Sequence, residues 1–112
     1  MEASDLFSAF ANPTRLRILN LLHQHKEICV CDLCEILDVL QPKVSRHLAI
    51  LRDSGLINAR SDGKWKFYGL AQPSTPLHRT LLHCVATCLG EIEELAADRE
   101  RLTGIEARLR CN

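Results

Sequence analysis

The chain has 112 residues, a length that suits one domain but is too short for two independent hydrophobic cores. Apolar residues make up 46% of it, well above a disordered composition, so the chain is expected to fold. Fourteen Lys and Arg residues balance fourteen Asp and Glu residues, which excludes a uniformly basic nucleic-acid binder, an acidic tail and a polybasic membrane anchor.

The chain carries no signal for a membrane or for secretion. No apolar run approaches the roughly 18–20 residues of a membrane span, and the segment Met1-Glu2-Ala3-Ser4-Asp5 lacks the basic start of a signal peptide. We therefore expect a cytoplasmic protein without a membrane partner.

The neutral total conceals an uneven distribution of charge. Residues 41–76 carry six Lys or Arg and two Asp or Glu, a net charge of +4, whereas residues 1–40 and 77–112 carry −3 and −1. The middle third is therefore predicted to form a local basic surface.

The first half of the chain predicts four short helices. One is expected over Ser4–Phe10, and Asn12-Pro13 then provides an N-cap and a first-turn proline for the second. Apolar residues at i, i+3, i+4 and i+7, ending at Leu40, predict a third helix over about 31–40. A fourth is expected over about 42–53, and almost no turn separates it from the third, as in a helix-turn-helix pair.

The second half predicts a hairpin and one long helix. Two extended segments, Leu56–Arg60 and Trp65–Leu70, flank Asp62-Gly63, a strong hairpin signal. Pro73 and Pro76 then break the chain before a helix over about 77–97. The predicted fold is mainly α-helical with a β-hairpin, a single winged helix-turn-helix domain over 1–112. Its parts are the helix-turn-helix at about 31–53, the wing at 56–70 and a dimerisation helix at 77–97.

The fourth helix and the hairpin tip carry the residues expected to bind DNA. With Val44 at the centre of the buried face, helix geometry places Arg46 on the opposite face, where it can reach the major groove. The predicted DNA-binding residues are Gln41, Lys43, Ser45, Arg46, His47, Lys64 and Lys66. His47 lies only about 60° from the centre of the apolar face, so packing at the edge of the core is an equal alternative for it.

Three cysteines form the most specific stretch, Ile28-Cys29-Val30-Cys31-Asp32-Leu33-Cys34. Cys31 and Cys34 share one face of the third helix, away from its apolar stripe, so both thiols should be at least partly accessible. The helix N-terminus is expected to lower their pKa. Cys29 would point elsewhere, so the three sulfurs converge only if the first helical turn unwinds. A soft ion that prefers three thiolates would distort the helix that supports the fourth one, which suggests a switch.

Other interpretations of these cysteines stay open. In one alternative, the cysteines are small apolar side chains buried in the core. In another, Cys31 and Cys34 form the CxxC of a thiol oxidoreductase, although no βαβ pattern surrounds them. A zinc ribbon would need a second pair of ligands, and no nearby pair supplies it.

The last helix has an apolar stripe too large to stay exposed on a small domain. Packing against a symmetry mate in a homodimer would bury it. The predicted interface consists of Leu6, Phe10, Leu77, Leu81, Cys84, Val85, Cys88 and Ile92. Cys84 and Cys88 are interpreted first as interface residues, and alternatively as a second metal site with His83 or Cys111.

The sequence resembles the ArsR/SmtB family of metal-sensing repressors. The resemblance is carried by the cysteine segment over 28–34 together with Gln41-Pro42-Lys43-Val44-Ser45-Arg46-His47-Leu48, Gly55-Leu56 and Gly63-Lys64-Trp65. The resemblance covers about residues 4–96 and is strongest to the arsenic-responsive branch. It implies a homodimeric repressor, not an enzyme, that binds an inverted-repeat operator in double-stranded DNA. It also implies release when As(III) or Sb(III) binds Cys29, Cys31 and Cys34, with no organic cofactor.

The sequence departs from the family's pattern in two places. Leu40 stands where relatives usually have a serine, which could cap the fourth helix and touch a phosphate. His78, His83 and Asp98 do not reproduce the spacing of the zinc ligands that other branches carry on the last helix. The alternatives are a repressor that responds to cadmium, lead or zinc, and a thiol redox sensor. The chain has no N-terminal cysteines to complete a four-thiolate site for the former.

Overall fold

The computed structural model describes residues 3–89 and 92–106, and Cys111 lies outside the described residues. Six helices and three strands follow in the order α1 Ala3–Phe10, α2 Pro13–Gln24, β1 Ile28–Cys29, α3 Val30–Leu37, α4 Gln41–Asp53, β2 Ile57–Asp62, β3 Trp65–Leu70, α5 Pro76–Thr87 and α6 Glu93–Glu106. None of the helices in this described part has the length and apolarity needed to cross a bilayer. The predicted winged helix-turn-helix is confirmed.

Helix α2 forms the centre of the core. Asn12 caps it as predicted, since its side-chain oxygen accepts a hydrogen bond from the backbone N–H of Arg15 at 3.1 Å, and Pro13 follows at the first helical position. Its apolar face is buried, with Ile18, Leu19 and Leu21 at 0% exposure. Helices α3, α4, α5 and α6 and strand β3 all contact this helix, so it is the scaffold on which the other elements are arranged.

The turn between α3 and α4 is longer than predicted. Helix α3 ends at Leu37, and Asp38 takes the left-handed conformation with φ 56°, so three residues separate the two helices. Leu40, predicted to extend the apolar stripe of α3, is instead the N-cap of α4 and is 81% exposed. The left-handed residue ends the helix before Leu40, so its apolar spacing does not bring it into the core.

A glycine ends α4 as predicted. Gly55 has φ 77° and donates its N–H to the Arg52 carbonyl at 3.0 Å, while Leu56 N–H reaches the Leu51 carbonyl at 3.0 Å. This pair of bonds is a Schellman motif, in which glycine supplies the left-handed residue without a Cβ clash. The motif turns the chain directly from α4 into β2, so α4 and the wing are joined by a short, hydrogen-bonded turn.

The wing hairpin belongs to a three-stranded antiparallel sheet in the order β1-β3-β2. Strands β2 and β3 form the predicted hairpin, and Gly63 has φ 62° in its two-residue loop, where a positive φ matches the twist of the strands. Strand β1 was not predicted, because two residues are too short to show any periodicity. It pairs Ile28 with Tyr68 and Cys29 with Phe67, and so connects the start of α3 to the wing.

The prediction of one helix over 77–97 is wrong. Helix α5 ends at Thr87, and a separate helix α6 begins at Glu93. Helix α6 packs against α2 and α3 through Leu95, Leu102 and Ile105, which are at most 6% exposed. Because the chain forms two helices, these side chains are buried in its own core. A single straight helix would carry them away from that core.

Three residues assigned to a dimer interface lie in the core of the chain itself. Leu6, Phe10 and Val85 are only 3%, 8% and 4% exposed, because α1 and α5 fold back on the other helices. Phe7 on the opposite side of α1 is 53% exposed and was not included in the prediction. The residues of the predicted interface that keep exposed surface are Leu77, Leu81, Cys84, Cys88 and Ile92.

An ion pair holds α6 on the scaffold helix. The Arg17 guanidinium binds both Asp98 carboxylate oxygens, at 2.8 and 3.0 Å, and Asp98 is completely buried. The hydrogen bond and charge of Asp98 raise the pKa of Arg17 against the opposing effect of burial. Glu94 also lies near Arg17, at 3.9 Å, but is 57% exposed.

We expect Asp98→Ala to lower the free energy of unfolding by about 3–5 kcal/mol, because it leaves a largely buried guanidinium without its partner. Glu94→Gln is the matched control and should change stability by about 0–1 kcal/mol, since it removes an exposed charge at long distance. Urea denaturation followed by circular dichroism measures both. Equal losses for the two variants would contradict this assignment.

Candidate functional site

A cleft of about 520 Å³ lies between the start of α3, the outer face of α4 and the wing. It brings together two sets of residues that sequence analysis had assigned to different tasks. From the cysteine segment come Cys29 and Cys31, and from the predicted DNA-binding set come Gln41, Ser45, Lys64 and Lys66. A group bound at the cysteines would therefore lie beside the face that is expected to contact DNA.

The predicted DNA-binding side chains are displayed as the helix geometry indicated. Gln41, Lys43, Ser45, Arg46, Lys64 and Lys66 are all exposed. Val44, Leu48 and Leu51 hold the opposite face of α4 in the core at 1% exposure or less. Sequence analysis missed Arg52, which also lines the cleft from α4 and adds a cation there.

His47 differs from the rest of the set, because Arg15 holds it at the edge of the core. The two side chains meet at 3.2 Å between the guanidinium and Nδ1, and His47 is half-buried. Since arginine can only donate, Nδ1 accepts and the imidazole is neutral, with its proton on Nε2. Burial and the cations Arg15, Lys43 and Arg46 accordingly lower the pKa of His47.

Arg15 also holds the end of α1. Its Nε donates to the Ala9 carbonyl at 2.8 Å and its Nη2 to the Ser8 carbonyl at 3.0 Å. One guanidinium thus joins α1, α2 and the recognition helix α4. The sequence offers no local signal for this arrangement, since His47 lies 32 residues further along the chain.

The wing carries less available charge than its sequence suggests. Glu27 binds Arg60 through both carboxylate oxygens, with a shortest contact of 2.8 Å, and the same guanidinium lies 4.7 Å from the Phe67 ring centre. The bound guanidinium lowers the pKa of Glu27. At the hairpin tip, Lys64 lies 5.6 Å from the Trp65 ring centre and remains exposed.

Cys29 combines three structural positions. It pairs with Phe67 of β3, it is the N-cap residue of α3, and it is only 2% exposed. Its thiol donates to an Asp32 carboxylate oxygen at 3.3 Å. A ligand that takes this sulfur must therefore displace the thiol from Asp32 and reach a nearly buried atom.

Cys31 and Cys34 are more accessible than Cys29, with Cys31 exposed and Cys34 half-buried. Burial raises the pKa of the Cys34 thiol and the neighbouring Cys31 raises it further, so the expected lowering by the helix N-terminus is wrong for Cys34. The helix dipole acts mainly within the first turn. Cys34 is the fifth residue of α3 and lies beyond that turn.

The three sulfurs do not form a ready-made site. Across residues 3–89 and 92–106, no three His, Cys, Asp or Glu side chains are arranged to hold a metal ion. The same holds for Cys84 and Cys88 with His83 as a third ligand, whereas Cys111, the other candidate ligand, lies outside the described residues. The predicted ligands Cys29, Cys31 and Cys34 have the right donor chemistry, but they must move to converge.

The two ends of α3 are held very differently. At its C-terminal end, Arg101 donates to the Ile36 carbonyl at 2.8 Å and Arg17 to the Leu37 carbonyl at 3.2 Å. At its N-terminal end, Cys29 provides no side-chain cap for the helix. The end that carries the cysteines is held instead by the backbone pairing of Cys29 with Phe67 and by the bond from its thiol to Asp32.

Comparisons with known proteins identify relatives of this chain by sequence and by fold. A family model described as "Bacterial regulatory protein, arsR family" matches residues 12–59, from α2 into β2. The arsenical resistance operon repressor of Escherichia coli is 56% identical over 66 residues, which span 59% of this chain and 56% of the relative. An arsenic resistance transcriptional regulator of Pseudomonas putida is 36% identical over 106 residues, 93% of this chain and 89% of the relative.

A solved structure is also similar to this chain in its fold. The crystal structure of the antimony-specific transcriptional repressor AntR superposes with a TM-score of 0.63 at 31% identity. The match covers 77% of this chain and 74% of that one.

The neutral His47 makes stability depend on acidity. Its folded pKa lies below the ordinary value of 6.5, so the contribution of neutral His47 is complete above pH 6.5 and is lost as the pH falls toward the folded pKa. We expect the free energy of unfolding to decline below pH 6.5, and to decline less in His47→Asn, whose amide oxygen accepts from Arg15 without titrating. Chemical denaturation between pH 5 and 8 tests this, and identical pH profiles would contradict it.

The missing cap of α4 offers a gain of stability. Leu40 makes no side-chain capping bond, whereas a serine oxygen there would accept from the N–H of Lys43. Leu40→Ser should raise the free energy of unfolding by about 1 kcal/mol. Leu40→Ala is the control, because it removes the exposed leucine without adding a cap, and thermal denaturation should show no gain for it. A gain of equal size in both variants would argue against capping.

Proposed function

Because the chain belongs to the arsR family of bacterial regulatory proteins, we propose that it is a cytoplasmic transcriptional repressor that releases its operator when As(III) or Sb(III) binds its cysteines. The proposal rests on one observation, the cleft in which Cys29 and Cys31 lie beside the recognition helix and the wing. The names of its relatives, which refer to arsenical resistance and to antimony, support the choice of inducer.

The thiols suit a trivalent metalloid. Such an ion is thiophilic and has three pyramidal bonds, which the three sulfurs Cys29, Cys31 and Cys34 would satisfy without a fourth ligand. Soft thiolate ligands generally select soft ions. The donor set therefore fits the inducer in chemistry, provided that the start of α3 rearranges.

The rearrangement would reach DNA by two routes. Withdrawal of Cys29 from its partner Phe67 would disturb β1 and hence the wing strand β3. Unwinding of the first turn of α3 would shift the support of α4, since the two helices pack together. Both routes end on surfaces that line the cleft, so binding of the metalloid and binding of DNA oppose each other.

We propose that the repressor acts as a homodimer. The interface would be supplied by Phe7 and Ile92, which are exposed, and by Leu77 and Leu81 of α5, which are half-buried. Two copies of α4 would then enter successive major grooves of an inverted repeat, about 34 Å apart. Phosphate contacts would come from Lys43, Arg46, Lys64 and Lys66.

Release demands that the inducer strongly prefer the form that does not bind DNA. A shift from mostly bound to mostly free requires a difference of roughly 5 kcal/mol in its binding to the two forms. Three sulfur–metalloid bonds formed only after rearrangement provide such a difference, because the form that binds DNA does not hold the sulfurs together.

Fluorescence anisotropy tests the proposal with a DNA duplex selected from a random-sequence pool by the metal-free protein. Arsenite or antimonite should release the wild-type protein from this duplex. Cys31→Ser should bind the duplex with unchanged affinity but lose the response, because the exposed Cys31 supports no part of the core. Cys88→Ser is the matched control, an exposed cysteine on α5 that should keep the full response.

Each outcome distinguishes the alternatives. A wild-type complex that arsenite and antimonite leave intact would overturn the proposal. Release by cadmium, lead or zinc would assign a different inducer, and release by peroxide alone would indicate a redox sensor. A response that persists in Cys31→Ser would exclude the assigned site.

A further inference from the structure

A second pair of thiols occupies the last turn of α5, on a different helix from the cysteine segment described above. Cys84 is half-buried, and Cys88, the C-cap residue, is exposed. The Cys88 N–H donates to the Cys84 carbonyl at 2.8 Å, so helical spacing is kept to the end of the helix. Residues four apart on a helix are neighbours on one face, and the two thiols therefore point to the same side.

Polar contacts hold the pair in place. The Thr87 hydroxyl donates to the His83 carbonyl at 2.8 Å, and its oxygen lies 3.5 Å from the Cys88 sulfur. Because that hydroxyl has only one proton, its oxygen accepts from the Cys88 thiol. Burial and a hydrogen bond with Cys88 raise the pKa of the Cys84 thiol. The two thiols are therefore neighbours at the end of the helix, joined by a hydrogen bond.

The number of ligands points to the kind of species that would bind. Within the part of the chain that the structure describes, no third Cys, His, Asp or Glu completes a site with these two sulfurs. Two sulfurs satisfy an arsenic atom that has two exchangeable oxygens and one permanent carbon substituent.

We propose that Cys84 and Cys88 form a separate two-thiol site for trivalent arsenicals that carry one organic group. In the binding step the two thiols displace two hydroxyl groups from the arsenic of R–As(OH)₂. Two sulfur–arsenic bonds form, two arsenic–oxygen bonds break, and the thiol protons leave with the hydroxyls as two water molecules. Arsenic stays trivalent throughout, so the step needs no oxidant or reductant.

The test uses phenylarsine oxide, the anhydrous form of such a compound, and does not involve DNA. In the full-length variant Cys29→Ser/Cys31→Ser/Cys34→Ser, intact-mass spectrometry should show one phenylarsenic adduct, and a thiol assay should show the loss of two thiols. Adding Cys88→Ser should weaken binding by ~100-fold or more, because the chelate is lost. Adding Cys111→Ser is the matched control and should change neither readout.

A parallel experiment keeps the proposal testable if the triple variant does not fold. The wild-type chain should take up two equivalents, and Cys84→Ser/Cys88→Ser should take up one. No adduct in the folded triple variant, or an adduct that survives Cys88→Ser and disappears with Cys111→Ser, would overturn the proposal. Neither result bears on release of DNA by arsenite, so the two proposals fail separately.

Discussion

The pairing of Cys29 with Phe67 is the contact on which the functional architecture depends. It joins the start of α3 to the wing with a strand of only two residues, and the same cysteine begins the helix and bonds Asp32 through its thiol. Backbone pairing, helix start and thiol contact are therefore inseparable at this position. In the proposed function, a chemical event at this sulfur would act on all three, and a site of a few atoms would thereby influence the much larger DNA-binding face.

The guanidinium groups of α2 explain why such an event would be directed rather than diffuse. Arg17 joins α6 and the end of α3 to the scaffold, and Arg15 joins α1 and α4 to it. One end of α3 is held by arginines that bind its carbonyls, and the other by the pairing of Cys29 with Phe67, so a ligand that took the Cys29 sulfur would act on the second end. Packed cores switch between discrete arrangements instead of deforming evenly, so in the proposed function this end of α3 would move as a unit.

Local signals in the sequence were sufficient for the helix-turn-helix and the hairpin. Asn12-Pro13, Gly55 and Asp62-Gly63 each encode a cap or turn within a few residues, and the face of α4 follows from its helical period. Strand β1 is too short for any period, and its pairing residue lies 38 positions or more away. The contact between Arg17 and Asp98 spans 81 positions, and it holds α6 against the core in place of a continuous last helix. The spacing of Cys29, Cys31 and Cys34 marked them as candidate ligands, but no local signal indicated that Cys29 is buried.

The bond between Glu27 and Arg60 has a consequence for how the protein searches for its target. An arginine already occupied by a carboxylate displaces no condensed counterions from DNA, so it adds little to affinity for arbitrary sequences. In a chain with no net charge, this keeps attraction to bulk DNA low. A genome offers a vast excess of competing sites, and weak adhesion to them leaves more of the protein free to find the operator.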